Sequence, residues 1–227
     1  MHVRTVKTTL YSFGELSPDA QQRAVENRCR IVSKAWDADD TEFVFEDAAH
    51  AAALLGWDIR QTRKTLCDGS HRYDPTIYYS GFWSQGDGAC CEGEWRARNF
   101  NGADLKAEYP QDAGLHRIAD EFAAVVAKYP DAAFTVKHRG HYSHSSCTEF
   151  TFDSGCDAST TEGEELENLF YARSGPADDL KQAARNFMDW IYRRLEAEYN
   201  YQTGEEAARE YLTDCEGEVF DIDGNIV

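Results

Sequence analysis

Apolar side chains recur every three or four residues in several parts of the chain, which is the spacing of one face of an α-helix. Such stripes run through residues 25–36, 45–55, 115–129 and 180–195. Ser17-Pro18-Asp19 is a complete helix start, because serine caps free N–H groups and proline suits the first helical position. Two shorter helices are predicted at 164–173 and 205–212.

Alternating apolar and polar residues, which are typical of β-strands, mark other segments. They are residues 3–9, 57–66, 76–83, 93–97, 134–138, 148–152 and 219–227. The order of these elements favours an α+β fold, with an antiparallel β-sheet and helices packed on one side. The polar segment 99–112 is predicted to be a loop. We predict a single domain over residues 1–227, and the weaker alternative is a boundary near 154–163 before an acidic, helical C-terminal part.

Residues 78–95 concentrate aromatic side chains, glycines, one central acid and two adjacent cysteines. Two strand-like halves flank Ser84-Gln85-Gly86-Asp87-Gly88, and Asp-Gly supplies the positive φ angles of a tight hairpin turn. We therefore predict a hairpin with a glycine-rich tip. Two interpretations stay open: Ser84, Gln85 and Asp87 are presented for binding beside Trp83, or Gly-Asp-Gly is only turn chemistry. A phosphate-binding loop is not predicted, because the segment has no lysine and no helix start.

The chain is strongly acidic, with 227 residues, a formal net charge of −18 and a pI of about 4.7. Residues 151–227 hold nineteen Asp and Glu against six Lys and Arg, a balance of −13. Direct nucleic-acid binding is not expected, since phosphate contacts need a basic face. An acidic face favours a basic protein surface as partner, and the alternative is that the charge only gives solubility. Candidate contact residues are Glu164, Glu165, Asp178 and Asp179.

The chain has seven cysteines, and its first residues lack the apolar segment of a secretory signal. No run of eighteen apolar residues occurs, so no membrane-spanning segment and no membrane partner are predicted. These features favour a cytoplasmic protein with reduced thiols. We expect no cofactor.

Potential metal ligands recur at every third position in the connector between two predicted strands. They are His138, His141, His144 and Cys147. These residue types bind zinc, but their spacing alternates the faces of a hairpin, so only two or three of them converge. Other cysteines would have to complete a site across the sheet, namely Cys90, Cys91 or Cys156. We expect no bound metal, and a polar hairpin in which histidines pack with tyrosines is the simpler explanation.

A hydrolase is a further alternative for the same residues. Ser84 or Cys90 would be the nucleophile, His141 or His144 the base, and Asp87 the group that orients the base. Those residue types can build such a site. However, no serine lies in the glycine pattern of a nucleophile elbow.

Four segments occur in order along most of the chain. They are Tyr11-Ser12-Phe13-x-Glu15-Leu16-Ser17-x-x-Ala20-x-x-x-Ala24, Phe82-Trp83-Ser84-Gln85-Gly86-Asp87-Gly88-Ala89, Gly140-His141-Tyr142-x-His144 and Phe220-x-x-Asp223-Gly224-x-Ile226-Val227. Together they resemble an uncharacterised family of phage and prophage accessory proteins with an FWSQGDGA hairpin motif. Some members of that family are labelled antitoxin-like. The third segment adds Tyr142 to the candidate binding residues.

The resemblance implies an accessory protein that acts against host defences in the host cytoplasm. Joined to the acidic charge, it gives our first hypothesis: the protein binds and inhibits a host defence complex, such as a CRISPR surveillance complex. It would be anti-CRISPR-like and would occupy a basic channel as a nucleic-acid mimic. The alternatives are a metal-dependent hydrolase that uses His141 and His144, and an antitoxin-like protein that binds a cognate toxin. We favour a binding role and leave an enzymatic one open.

Overall fold

The computed structural model describes residues 9–37, 40–215 and 217–227. Seven α-helices lie within these ranges. They are α1 (Pro18–Ala35), α2 (Glu42–Leu54), α3 (Gly102–Glu108), α4 (Ala113–Val126), α5 (Thr161–Phe170), α6 (Pro176–Gln202) and α7 (Glu205–Asp214). All of the predicted helices are present. The prediction of a loop over residues 99–112 is wrong, because α3 forms within that segment.

Side-chain caps set the start of several helices. The hydroxyl of Ser17 accepts the N–H of Ala20 at 3.3 Å, and Pro18 occupies the first position of α1. At α3, the side-chain oxygen of Asn101 accepts the N–H of Asp104 at 3.2 Å, and Leu105 is fully buried. A cap and one buried leucine therefore form a short helix in a polar segment.

Eight strands form three antiparallel sheets in the described residues. They are β1 (Trp57–Ile59), β2 (Gln61–Thr65), β3 (His71–Pro75), β4 (Ile77–Ser80), β5 (Gly88–Cys91), β6 (Gly93–Arg96), β7 (Ala133–His138) and β8 (Thr148–Asp153). The main sheet has the order β1-β6-β7-β8, while β2 pairs with β3 and β4 pairs with β5. The single strand predicted over residues 57–66 is divided between two sheets.

A row of aromatic residues crosses the main sheet on one face. In register, the row is Trp57, Trp95, Phe134 and Phe152. Phe122 of α4 stacks on Trp95 at 5.3 Å between ring centroids, and Phe187 of α6 lies 5.7 Å from Trp57. The helices therefore cover the aromatic face of an antiparallel sheet, which confirms the predicted α+β fold. The opposite face carries Asp58, Glu94 and Thr135 in register.

The chain divides into two compact units, one of residues 1–40 and 196–227, the other of residues 41–195. In the first unit, α1 and α7 pack through small and apolar residues around Phe220. The second unit holds the main sheet, both hairpins and the stretch 154–163. Most of the strand predicted at 3–9 lies outside the described residues. No helix of the described ranges has the length and apolar character needed to cross a lipid bilayer.

Candidate functional site

The glycine-rich tip joins β4 to β5 and is held by one carboxylate. Oδ2 of Asp87 accepts the N–H of Trp83 at 2.9 Å and that of Ser84 at 2.6 Å. Gly86 adopts a φ of +102°, which favours glycine because it has no Cβ. The Asp87 carboxylate therefore supports the turn. Trp83 is left 81% exposed at the end of the hairpin, with exposed Ser84 and Gln85 beside it.

The tip lies against the connector between β7 and β8. A Cβ at Gly86 would lie 3.6 Å from the ring of Tyr142, and one at Gly88 would lie 3.0 Å from the ring of His144. Tyr142 itself is 58% exposed. Two motifs that are distant in sequence thus form one surface. We call residues 82–87 and 141–144 the tip surface.

Aromatic contacts fix the base of the tip onto α6 and α2. The hydroxyl of Tyr192 donates to the carbonyl of Gly81 at 3.0 Å, and the Tyr192 ring lies 5.8 Å from that of Phe82. Phe82 stacks on Tyr79 at 6.2 Å, and Tyr79 meets Phe45 of α2 at 6.0 Å. The contact from Tyr192 could not be predicted from the sequence, because Tyr192 lies beside the apolar stripe of its helix and not within it.

The histidines hold the connector in shape. Nε2 of His138 donates to the carbonyl of Tyr142 at 3.0 Å, and the His138 ring lies 4.8 Å from that of Tyr78. Nδ1 of His144 accepts the N–H of Ser146 at 3.0 Å. His141 is exposed and lies edge-on to Tyr142. Among the described residues, no three His, Cys, Asp or Glu side chains are arranged to hold a metal ion.

Cys90 and Cys91 of β5 are buried thiols. Burial first, then the neighbouring Cys147 and Glu92, raises the pKa of Cys90 to about 12. Burial also raises the pKa of Cys91 well above its ordinary value. A thiol in this state is a poor nucleophile. In the described part of the chain, no hydrogen bond joins Asp87 to His141 or His144. Asp87 therefore does not orient either histidine as the base of a hydrolase, and the exposed side chains of the tip surface are better placed to contact a partner.

The acidic candidates lie on other elements. Glu164 and Glu165 are exposed on α5. Asp178 accepts the N–H of Ser174 at 3.0 Å, and Asp179 lines a cavity of about 510 Å³ with residues of α4. Carboxylates in the first turn of a helix also stabilise its N-terminus. Within the described residues, no hydrogen bond or ion pair joins these four side chains to the tip surface.

A family model described as a domain of unknown function (DUF8835) matches residues 41–205. The match covers well over half of the chain and includes the whole tip surface. Comparison with curated proteins and with solved structures gave no match. The chain therefore belongs to the DUF8835 family.

Proposed function

We propose that this chain is a phage-encoded binding protein that docks through its tip surface onto a host defence complex and inhibits it. The exposure of Trp83 on a fixed hairpin is the observation that carries this proposal. Tryptophan and tyrosine dominate the binding energy of many protein interfaces. A contact residue on a fixed scaffold also loses less conformational entropy when it binds.

The excess negative charge supports a basic partner surface. Residues 151–227 carry a balance of −13, and Glu164 and Glu165 expose their carboxylates on α5. Complementary charge speeds association with a basic surface. Such a surface normally binds nucleic acid in a CRISPR surveillance complex. The acidic helix α5 would therefore occupy the site where DNA or RNA binds.

Binding of purified CRISPR surveillance complexes to the immobilised protein tests the proposal. We expect Trp83→Ala to weaken the complex by about 2 kcal/mol, roughly thirtyfold in Kd, as for a central interface tryptophan. Tyr201→Ala is the matched control, because Tyr201 is a similarly exposed aromatic residue (67%) outside the tip surface. A partner that binds the Trp83→Ala variant as tightly as the wild type would show that the tip surface is not the contact.

The contribution of negative charge to association with the partner can be tested separately. We expect Glu164→Gln combined with Glu165→Gln to slow association, and we expect raised salt to slow the wild type more than this variant. Equal association rates at low and high salt would refute nucleic-acid mimicry while leaving docking through Trp83 intact. Thermal melts of both variants check that each is folded.

A further inference from the structure

The strand β8 lies at one edge of the main sheet and directs part of its backbone away from its neighbour. Among the described strands it pairs with β7 alone. The N–H of Arg139 donates to the carbonyl of Cys147 at 2.8 Å, and this pair continues the register of the two strands. Hydrogen-bonded and non-hydrogen-bonded pairs alternate in an antiparallel ladder. The N–H and C=O groups of Thr148, Phe150 and Phe152 therefore point away from β7.

The middle of this edge is open. At its end, the hydroxyl of Tyr171 donates to the carbonyl of Phe152 at 2.9 Å, and a carbonyl oxygen can accept a second hydrogen bond. No described residue forms a hydrogen bond with the outward N–H or C=O of Phe150. The Phe150 ring is also only half-buried and stacks on that of Phe152 at 5.7 Å. Phe150 thus offers a donor, an acceptor and an apolar ring to another strand.

The sequence of β8 lacks the features that usually protect an edge strand, which are lysine, proline, a bulge or a very short strand. Its six residues are Thr-Glu-Phe-Thr-Phe-Asp, and their register with β7 is unbroken. The charge of Glu149 is compensated by Arg139 at 2.7 Å. The strand at the other edge, β1, has only three residues. β8 is therefore the edge of the main sheet that is suited to pairing.

We propose that β8 pairs antiparallel with β8 of a second copy of this chain, around a two-fold axis at Phe150. This inference is independent of the proposed function. Phe150 exchanges two hydrogen bonds with Phe150 of the second copy, and Thr148 does so with Phe152 of the second copy. Since Phe150 pairs with Val136 of β7, the apolar face of each four-stranded sheet continues into the other, and both half-buried rings gain cover.

Charge selects this register. With the axis at Phe150, Glu149 lies directly opposite Thr151 of the second copy in a non-hydrogen-bonded pair, where side chains approach most closely. A shift by two residues would place Glu149 opposite either its own counterpart or Asp153, and like charges in such positions repel each other. A second copy also supplies a strand of equal length with the same alternation of apolar and polar faces. Each edge is therefore the complement of the other.

The test follows association and amide exchange of the whole chain as its concentration rises through the micromolar range. High salt screens the repulsion between two chains of net charge −18, so both measurements are made there. We expect sedimentation velocity to show a monomer that converts to a dimer. The Phe150 amide should exchange at least about tenfold more slowly in the dimer. The Thr151 amide, which points towards β7, should exchange equally in both states.

Charge variants at Thr151 test the register. Thr151→Glu places a carboxylate opposite Glu149 twice around the axis, so we expect it to raise the dimer Kd at least about threefold. Thr151→Lys creates two attractive pairs instead and should lower the Kd by a similar factor. Thr65→Glu and Thr65→Lys make the same changes at an exposed position of β2 and should leave the Kd unchanged. Thermal melts check that every variant is folded.

Four results would overturn the proposal. The first is a chain that stays monomeric throughout the concentration range. The second is dimerisation that gives the Phe150 amide no added protection, and the third is a dimer Kd that both Thr151 variants shift in the same direction, because another surface would then form the contact. The fourth is a Phe150 amide that is protected at every concentration, since the edge would then be covered within one chain.

Discussion

Replacing Asp87 with alanine tests whether one carboxylate holds the tip surface in place. The change removes the acceptor of two backbone N–H groups, at 2.9 and 2.6 Å. A hydrogen bond to a charged group contributes about 1.5–3 kcal/mol when buried. The tip is partly solvated, so water recovers much of each bond. We therefore expect Asp87→Ala to lower the free energy of unfolding by about 2 kcal/mol, and Asp87→Asn, which keeps a neutral acceptor, by about 1 kcal/mol.

Hydrogen exchange locates this loss in the molecule. We expect the amides of Trp83 and Ser84 to exchange at least about tenfold faster in Asp87→Ala, because the local opening that exposes them becomes easier. Urea unfolding gives the global value. Asp68→Ala is the matched control: Asp68 caps the turn between β2 and β3 by accepting the N–H of Ser70 at 2.9 Å, away from the tip surface. It should leave the Trp83 and Ser84 amides unchanged.

Two results would refute this reasoning. Unchanged exchange at Trp83 and Ser84 in Asp87→Ala would show that the carboxylate does not hold the turn. A loss of partner binding with unchanged exchange would show instead that Asp87 contacts the partner directly.

Three further expectations concern other features of the second unit. Gly88→Val should cost about 1–3 kcal/mol by overpacking, since a Cβ there lies 3.0 Å from the ring of His144; a ¹³C-labelled His144 should report the displacement. Burial alone would raise the pKa of Asp74, but hydrogen bonds from two basic side chains of its hairpin lower it. Asp74 therefore stabilises the fold above its unfolded pKa of about 3.9, and this contribution is lost as the pH falls below that value. Acid titration of the wild type against Asp74→Asn should show the difference, and parallel curves would contradict it. Iodoacetamide with mass spectrometry should modify exposed Cys67 in the native protein and spare buried Cys90; equal labelling would show that the β5 thiols are accessible.

The fold class could be predicted because each helix or strand that buries one face carries apolar residues at a regular spacing. The strands that carry Trp95 and Phe134 alternate in sequence as they do in burial, and the stripe that contains Phe187 follows the helical turn. The division of residues 57–66 could not be predicted in this way. Arg60 donates to the carbonyl of Glu92 and accepts the N–H of Thr76, so the chain leaves one sheet and joins another at this residue. Only tertiary hydrogen bonds mark that change.

At the hairpin tip, the sequence left two interpretations open, turn chemistry or presentation for binding, and the structure shows which residues make the turn. Gly86 and Asp87 make the turn, while Trp83 and its exposed neighbours face solvent because the turn is made. Local pattern cannot separate these roles, since both favour small and polar residues in the same few positions. The support from Tyr192 comes from a helix more than one hundred residues later in the chain. A loss of function on replacing Asp87 is therefore ambiguous by itself, whereas a loss on replacing Trp83, with the Asp87 hydrogen bonds retained, identifies a contact residue.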